Sequence, residues 1–204
     1  MERRSYRMGA RTAAMEATRE RVMEAAARLW TQRWYDEVTL QHIADEAEVS
    51  VQTVVNRFGG KDGLADAVAE WVATRTAVAR QAPVGDVAAI VAVLFADYER
   101  QGDANVLWAA QVDRVPALGR AAVQARGQHR AWLEEVFADR LPEAGPEREH
   151  ALNLHYAATD VYLWKLWRRD LGLSRAEAER AMRDLLTGID PRRDRQAAPD
   201  PQVP

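Results

Sequence analysis

The sequence predicts an all-α fold, with an N-terminal three-helix helix-turn-helix domain followed by a C-terminal helical bundle. Apolar residues recur three and four positions apart along most of the chain, which is the spacing of a buried helix face. No stretch keeps the alternation of a strand, and serine, threonine or glycine stands where several periodic stretches begin or end. A chain of 204 residues can bury a substantial core in one or two domains.

Composition narrows the class of protein. The chain has no cysteine, which excludes a disulfide framework and a cysteine-based zinc site. Its longest apolar run, residues 87–96, is too short to span a bilayer, and the N-terminal residues lack the apolar segment of a secretory signal. We therefore expect a cytoplasmic protein with no membrane partner.

The helix-turn-helix domain is predicted over residues 16–63. Its first helix covers residues 18–30, with apolar positions at Val22, Ala26, Leu29 and Trp30. Thr39 caps the second helix. The apolar face of that second helix consists of Leu40, Ile43, Ala44 and Ala47.

A tight turn, Glu48-Val49, joins the second helix to a third that Ser50 caps. Within this third helix, Val54 and Phe58 lie one turn apart and are expected to face inward. The side chains expected to point outward are Val51, Gln52, Val55 and Asn56. A short helix that is backed by another and shows amides and small apolar groups has the shape that enters a DNA major groove. The alternative is an ordinary helical hairpin within a core.

Residues 19–71 carry a family pattern around this turn. The positions concerned are Trp34-Tyr35, Thr39, Ala47-Glu48-Val49-Ser50, Thr53, Val55, Arg57-Phe58 and Lys61. They resemble the TetR family of bacterial transcriptional regulators, whose pattern has a glycine-aromatic step, a threonine or serine, an alanine-glycine-valine-serine turn and a following recognition helix and lysine. The resemblance implies a non-enzymatic repressor that binds a double-stranded DNA operator.

Four residues depart from that family pattern. Glu48 replaces a glycine that would tolerate left-handed dihedral angles, and Trp34 replaces another glycine. Val55 replaces a tyrosine that usually bonds a phosphate, and Arg57 replaces a histidine. We expect the fold to survive these changes, whereas the phosphate contact at position 55 is lost and the preferred base sequence stays open.

The DNA contacts divide by chemistry. Gln52 and Asn56 are the expected base readers, because a side-chain amide can bond an adenine edge through two hydrogen bonds. Val51 and Val55 are expected to meet thymine methyl groups. Phosphate contacts, which position the protein without specifying sequence, are assigned to Thr39, Gln41, Thr53, Arg57 and Lys61.

Residues 1–15 are predicted to form a flexible basic arm. Residues 1–21 hold six arginines and three glutamates, a local excess of positive charge in a chain of net charge −3. Such an arm would resemble those that reach into an adjacent minor groove. The alternative is a solvated tail without a role.

Residues 64–189 are predicted to be a helical domain. The resemblance implies that this domain binds a ligand and forms the dimer. A helix begins near residue 62, and further helices cover residues 87–100, 105–112, 117–141, 146–171 and 174–186. Gly172 ends one helix, and Ser174 with Glu177 forms a capping box at the next. Residues 190–204 hold four prolines and are predicted to be a disordered tail.

Aromatic and polar side chains in this domain suggest a site for a small organic effector. The candidate residues are Tyr98, Trp108, Gln111, His129, Trp132, Tyr156 and Asp160. Asp160 is predicted in mid-helix, where it either pairs with Lys165 or an arginine or faces the aromatic rings. An unpaired Asp160 would suit a flat, cationic or hydrogen-bonding molecule. Core packing is the alternative for the aromatic residues.

The resemblance also implies a homodimer in which the last two long helices form a four-helix bundle with those of a second subunit. Apolar surface for that interface is expected from Leu154, Ala158, Val161, Leu185 and Ile189. The same residues can instead pack within one subunit.

Enzymatic signatures are weak. Glu147 and His150 have the spacing of a di-iron ligand pair, but the second such pair that the site needs does not occur in the sequence. No phosphate-binding loop or nucleophile elbow is found. We expect no cofactor and no catalysis, and keep two alternatives: a helix-turn-helix regulator without a ligand, and a helical-bundle enzyme or carrier.

Overall fold

The computed structural model describes residues 2–189, with side chains from residue 12 onward. This part of the chain is helical and contains no strand, which confirms the predicted all-α class. Its helices are α1 Glu2–Gln32, α2 Leu40–Glu46, α3 Val51–Phe58, α4 Lys61–Ala79, α5 Val87–Ala109, α6 Pro116–Val136, α7 Pro146–Thr159, α8 Val161–Lys165 and α9 Arg175–Gly188. A 3₁₀ turn at Tyr35–Glu37 precedes α2, and a π-helical turn at Leu166–Asp170 follows α8.

The chain divides into two compact units. Within the described residues, the first contains residues 2–75 together with Leu107–Gln124, and the second contains Thr76–Val106 together with residues 125–189. The predicted boundary near residue 63 therefore does not coincide with this division. Residues 107–124 join the first unit because Val115 and Leu118 are buried in the same apolar core as Trp30 and Val54.

The start of α1 differs from the prediction of a flexible arm over residues 1–15. The helix begins at Glu2 and not near residue 18. Alanine, arginine, methionine and glutamate dominate this stretch, and all four favour helix. The predicted tail, residues 190–204, lies outside the described residues.

Two predicted helices, 87–100 and 105–112, are one continuous helix, α5. Gly102 does not interrupt it, because the glycine serves close packing: a Cβ atom there would lie 2.5 Å from the ring of Trp164. The helix predicted over residues 117–141 begins one residue earlier, at Pro116, and ends at Val136.

The helix predicted over residues 146–171 is broken at Asp160, so placing this residue in mid-helix was wrong. Its backbone is extended (φ −70°, ψ 147°), and its carboxylate accepts a hydrogen bond from the Tyr162 backbone N–H at 2.8 Å. Aspartate is a strong N-cap residue, which explains why α7 stops and α8 starts here. The predicted capping box of Ser174 and Glu177 is present.

No helix in the described part of the chain is both long and apolar enough to cross a membrane. Within the same residues, no group of three or more histidine, cysteine, aspartate or glutamate side chains is placed to hold a metal ion.

Candidate nucleic-acid interface

Local side-chain bonds shape the α2–turn–α3 segment. The Thr39 hydroxyl accepts from the His42 backbone N–H at 3.1 Å, and the His42 ring accepts from the Thr39 N–H at 3.3 Å. The Ser50 hydroxyl accepts from the Thr53 N–H at 3.1 Å. Both caps predicted from the sequence are therefore present, and they satisfy backbone donors that a helix leaves open.

The turn between these helices carries backbone strain at Glu48. Its φ is +54°, the left-handed region in which a side chain is disfavoured. The turn is closed by the Val49 N–H, which donates to the Ala44 carbonyl at 2.9 Å. The position occupied by glycine in the family pattern thus needs glycine-like geometry, and this chain adopts it with a glutamate.

The helix α3 separates buried from exposed side chains. Val54 is fully buried, and Phe58 packs partly buried against the core of the first unit. The exposed side chains of the helix are Gln52, Val55 and Asn56, which we name the α3 patch. Val51 was expected to point outward with them, but it is half-buried against the core. The Gln52 amide donates to the Asn56 side-chain oxygen at 2.7 Å.

The residues predicted to contact phosphate differ in their exposure and in their hydrogen-bond partners. Thr39 and Gln41 are exposed, and the Gln41 amide donates to Asp45 at 2.7 Å. The Thr53 hydroxyl is half-buried and lies 2.8 Å from that of Ser50. The Arg57 guanidinium donates to the Met15 carbonyl of α1 at 2.9 Å.

Lys61 braces the 3₁₀ turn in this structure. Its ammonium donates to the Tyr35 carbonyl and lies 4.1 Å from the centre of the Tyr35 ring. Burial lowers the pKa of Lys61, and the carboxylates of Asp36 and Asp62 oppose that effect. The bond to the tyrosine carbonyl uses one of the three N–H donors of this ammonium and leaves the others for a phosphate.

Gln111 and Trp108, assigned from the sequence to an effector site, lie instead in the core of the first unit. The Gln111 side-chain oxygen accepts from the Tyr35 N–H at 2.8 Å, and its amide donates to the Leu107 carbonyl at 2.8 Å. The Trp108 indole donates to the Trp30 carbonyl at 3.0 Å. Both residues fasten residues 107–124 to the 3₁₀ turn and α1, a tertiary role that local sequence does not signal.

The second unit contains a buried ion pair that sequence reasoning missed. Arg80 donates to Asp97 through two nitrogens, at 2.8 and 2.5 Å, and the Asp97 side chain is fully buried. Arg100 and Gln101 also donate to Asp97, at 2.6 and 2.5 Å. An aspartate directly after the apolar run of α5 was the available signal, because a buried carboxylate requires partners.

His129 extends this ion pair into a network. The Arg80 guanidinium can only donate, so His129 accepts through Nδ1 at 3.2 Å and carries its proton on Nε2. Nε2 then donates to the Thr159 hydroxyl at 3.0 Å, and that hydroxyl donates to the His155 carbonyl at 2.7 Å. Burial, with a smaller contribution from the Arg80 cation, lowers the pKa of His129 to about 3.

Aromatic side chains surround the network. The Trp132 indole donates to the Arg80 carbonyl at 2.8 Å, and the Tyr98 hydroxyl donates to the Thr159 carbonyl at 2.8 Å. The His129 ring stacks on Trp132 at 5.6 Å and meets the edge of Tyr156 at 5.0 Å. We name the whole group the Arg80 cluster: Arg80, Asp97, Tyr98, His129, Trp132, Tyr156 and Thr159.

Four of the seven predicted effector residues therefore meet in the Arg80 cluster, namely Tyr98, His129, Trp132 and Tyr156. Asp160 follows Thr159 in the chain, but its carboxylate caps α8. The predicted partner Lys165 donates instead to Asp170, at 2.8 and 2.9 Å.

The candidate dimer residues divide into two groups. Leu154 and Leu185 are 40% and 44% exposed, and Tyr162 and Leu166, on α8 and the π-helical turn, are exposed as well. The remaining candidates pack wholly or partly against the core of the second unit: Ala158, Val161 and Ile189.

Residues 22–68 match the sequence profile of a family described as bacterial regulatory proteins, tetR family. This match confirms the resemblance found in the sequence. A search of curated proteins gave no match.

Solved structures with the same fold include a protein of Pseudomonas aeruginosa PAO1 proposed to be a transcriptional regulator. It shares 20% identity over 89% of this chain and 94% of its own, with a TM-score of 0.70. A tetR-family transcriptional regulator from Streptomyces coelicolor shares 20% over 89% and 85%, with a TM-score of 0.69. The multidrug binding protein EbrR, complexed with imidazole, shares 22% over 85% and 89%, with a TM-score of 0.60. At these identities the likeness shows the fold of such regulators.

Proposed function

We propose, from the premise that residues 22–68 form a DNA-binding domain of the TetR type, that the protein is a cytoplasmic transcriptional repressor. It binds a double-stranded operator as a homodimer and leaves it when a small organic effector binds. The observation that carries DNA recognition is the α3 patch: three exposed, uncharged side chains on a capped helix that α2 and the core support from behind.

DNA binding requires both base and phosphate contacts. The α3 patch offers amides and an aliphatic group to base edges, while Thr39, Gln41 and Thr53 supply polar groups beside it. Arg57 and Lys61 add phosphate contacts through the N–H donors that their single bonds to backbone carbonyls leave free. Such charge-assisted bonds to phosphate are stronger than bonds between neutral groups.

Dimerisation follows from the length of DNA that one helix can read. One α3 helix covers a few base pairs, whereas two related by a two-fold axis double the sequence read. The half-site centres are then expected about 34–36 Å apart, or a multiple of that distance. Exposed Leu154 and Leu185, together with Tyr162 and Leu166, supply apolar surface for a second copy.

The Arg80 cluster is the proposed effector site. It combines aromatic faces with buried polar groups from Arg80, α5, α6 and α7. Arg80 directly follows the last residue of α4. The first residue of α4, Lys61, lies three residues after the end of α3. A small molecule that displaces the Arg80–His129 hydrogen bond would change the end of α4. The structurally similar EbrR was solved with imidazole, which supports small-molecule binding within this fold.

A regulator without a ligand remains the second candidate. Arg80, Asp97, His129 and Thr159 all find hydrogen-bond partners inside the chain, which is what a purely structural network requires. An effector must bind the DNA-free conformation more tightly than the DNA-bound one, since otherwise it shifts nothing.

The test of DNA recognition uses selection from random duplexes followed by titration of the enriched site and of random DNA. Wild-type protein should enrich one palindromic site. Gln52→Ala should narrow the affinity gap between that site and random DNA, whereas Lys61→Ala should weaken both alike and lower the salt slope by about one. Failure of the wild type to enrich any site would defeat the proposed function.

The test of effector release uses thermal-shift screening of small organic molecules with and without operator. A genuine effector should raise the melting temperature of the free protein and lower operator affinity. Ligands that stabilise the protein without weakening operator binding would favour the second candidate.

A further inference from the structure

We propose that α3 reads a core of A·T base pairs in each half-site, with Val55 against a thymine methyl and the Gln52–Asn56 pair on an adenine edge. The inference rests on the proposed DNA binding and names the bases that the same surface recognises. It follows from which side chains the structure leaves exposed on α3 and how two of them are bonded.

The α3 patch carries no charge. Gln52, Val55 and Asn56 are exposed, whereas Val51 and Val54 are half-buried and buried, respectively. Positions 52, 55 and 56 are separated by three and four residues, so the three side chains form one continuous surface on the helix. Any base edge that meets this surface is met by two amides and one isopropyl group.

Guanine recognition lacks its usual reader on this helix. The commonest specific contact to guanine is an arginine or lysine that bonds O6 and N7 together. Arg57 belongs to α3, but its guanidinium turns to α1 and donates to the Met15 carbonyl at 2.9 Å. Lys61 is engaged with Tyr35. Neither cation belongs to the exposed patch.

The two amides act as one unit. The Gln52 nitrogen donates to the Asn56 oxygen at 2.7 Å, so this bond uses one donor and one acceptor of the pair. The Gln52 oxygen and the Asn56 nitrogen take no part in this bond and can both meet a base, and one Gln52 N–H also stays free. An adenine edge presents the matching N6 donor and N7 acceptor, so the Gln52 oxygen can accept from N6 while the Asn56 amide donates to N7.

Val55 supplies the apolar part of the surface. Its side chain is 36% exposed on an otherwise polar face, at the position where the family pattern has a tyrosine for phosphate. An isopropyl group has no hydrogen bond to offer, and the one apolar feature of the major groove is the thymine methyl. Covering one methyl group contributes about fourfold in affinity, given about 0.8 kcal/mol for a buried CH₂.

The experiment begins with selection by wild-type protein from random duplexes at fixed salt. An uninterrupted A·T core in both half-sites is expected. Uracil is then placed for thymine at each core position, which removes only the methyl group. One position should cost wild-type protein about fourfold in affinity, while the same replacement should cost Val55→Ala nothing further.

Val123→Ala is the matched control, because Val123 is an exposed valine of the first unit on α6. It should retain the full uracil effect. If Val55→Ala does not fold, the loss of affinity on uracil substitution in wild-type protein still tests the proposed methyl contact. A selected core of G·C pairs would overturn the proposal, as would equal uracil effects in wild type and Val55→Ala, and both results would leave sequence-specific binding intact. Enrichment of no site at all would instead defeat the proposed function itself.

Discussion

The α2–turn–α3 segment and the Arg80 cluster both depend on hydrogen bonds between polar side chains. The bonded residues are close in sequence in the segment and far apart in sequence in the cluster. In the segment, Thr39 bonds His42 and Gln52 bonds Asn56, three and four residues apart. In the cluster, Arg80 bonds Asp97 and His129, 17 and 49 residues away. The first arrangement keeps its polar groups near water and ready for DNA, whereas the second removes charge from water.

This contrast has an energetic consequence. Exposed polar groups on α2 and α3 exchange partners with water or phosphate at little cost, so each bond there contributes little to stability. A charge buried in the Arg80 cluster is tolerated only while its partner remains, and loss of one member leaves the other uncompensated. Substitutions should therefore affect DNA binding in the first region and stability in the second.

The largest effect is expected from Asp97→Asn. Arg80 would keep its charge in a buried site without a carboxylate, and breaking a buried pair in this way typically costs about 3–5 kcal/mol of unfolding free energy. Denaturant titration with a probe in the second unit measures the loss. Arg120→Ala, which removes an exposed partner of Asp66, is the control and should leave the free energy of unfolding close to that of the wild type. Equal losses would remove the distinction between the two regions.

The double variant Arg80→Met/Asp97→Leu sharpens the same point. Replacing a buried ion pair by apolar residues of similar size is often neutral or stabilising. We therefore expect it to recover most of the stability that Asp97→Asn loses. A double variant as unstable as Asp97→Asn would mean that the wider network, and not the ion pair, sets the cost.

The next largest effect is expected at acidic pH, which should lower the contribution of the Arg80 cluster to the free energy of unfolding. His129 is neutral in the folded protein with a pKa of about 3, whereas its pKa in the unfolded chain is about 6.5. The unfolded chain therefore binds the extra proton between these values, so this contribution to stability is complete above pH 6.5. It falls by about 1.4 kcal/mol for each unit of pH below that.

Unfolding free energies measured between pH 7 and pH 4.5 test this slope. His129→Asn should flatten it, because the group that gains a proton on unfolding is gone. His150→Asn is the control, since His150 is exposed, and it should keep the wild-type slope. An unaltered slope in His129→Asn would assign the acid sensitivity to other groups.

Gln111→Leu is expected to have an intermediate effect in the first unit. It leaves the buried Tyr35 N–H without its 2.8 Å partner, which costs about 1–3 kcal/mol. The 3₁₀ turn that leads into α2 should loosen, so operator affinity should fall along with stability. Chemical denaturation and fluorescence anisotropy with operator measure the two effects. A stable variant with unchanged operator affinity would show that Gln111 does not position the turn.

The number of residues that separate two bonded partners in the sequence also explains which features could be predicted from the sequence. Thr39, Ser50 and Ser174 cap helices as expected, because a cap involves residues three positions apart. Asp160 was wrongly placed in mid-helix, and the break predicted between residues 100 and 105 does not occur. Both depend on tertiary surroundings: Asp160 ends a helix that periodicity would continue, and Gly102 admits Trp164 without breaking α5.

The candidate sites follow the same rule. Side chains exposed on one short helix, such as Gln52 and Val55, are recognisable from helical spacing alone. Gln111 was placed in the wrong unit because its partner, Tyr35, lies 76 residues away. Arg80 was missed for the same reason: nothing beside it in sequence indicates Asp97 or His129.

The smallest effect concerns strain in the first region. Glu48 holds a φ of +54°, and left-handed geometry costs a residue with a side chain about 1–2 kcal/mol, whereas glycine adopts it freely. Glycine also makes the unfolded chain more flexible, which offsets about 0.4–1 kcal/mol. Glu48→Gly should therefore stabilise the protein by roughly 0.5–1 kcal/mol, a difference of those two contributions that thermal or denaturant unfolding can resolve.

Glu48→Ala separates backbone strain from loss of the carboxylate. Alanine removes the charge but keeps a Cβ atom, so it should retain the strain and show none of the gain. If both variants were stabilised equally, the carboxylate and not the dihedral angle would be the cause. Because glycine adopts the present geometry, the angle between α2 and α3 should stay the same, and operator affinity with it. Strain at Glu48 would then act on the stability of the DNA-binding region without helping it to bind.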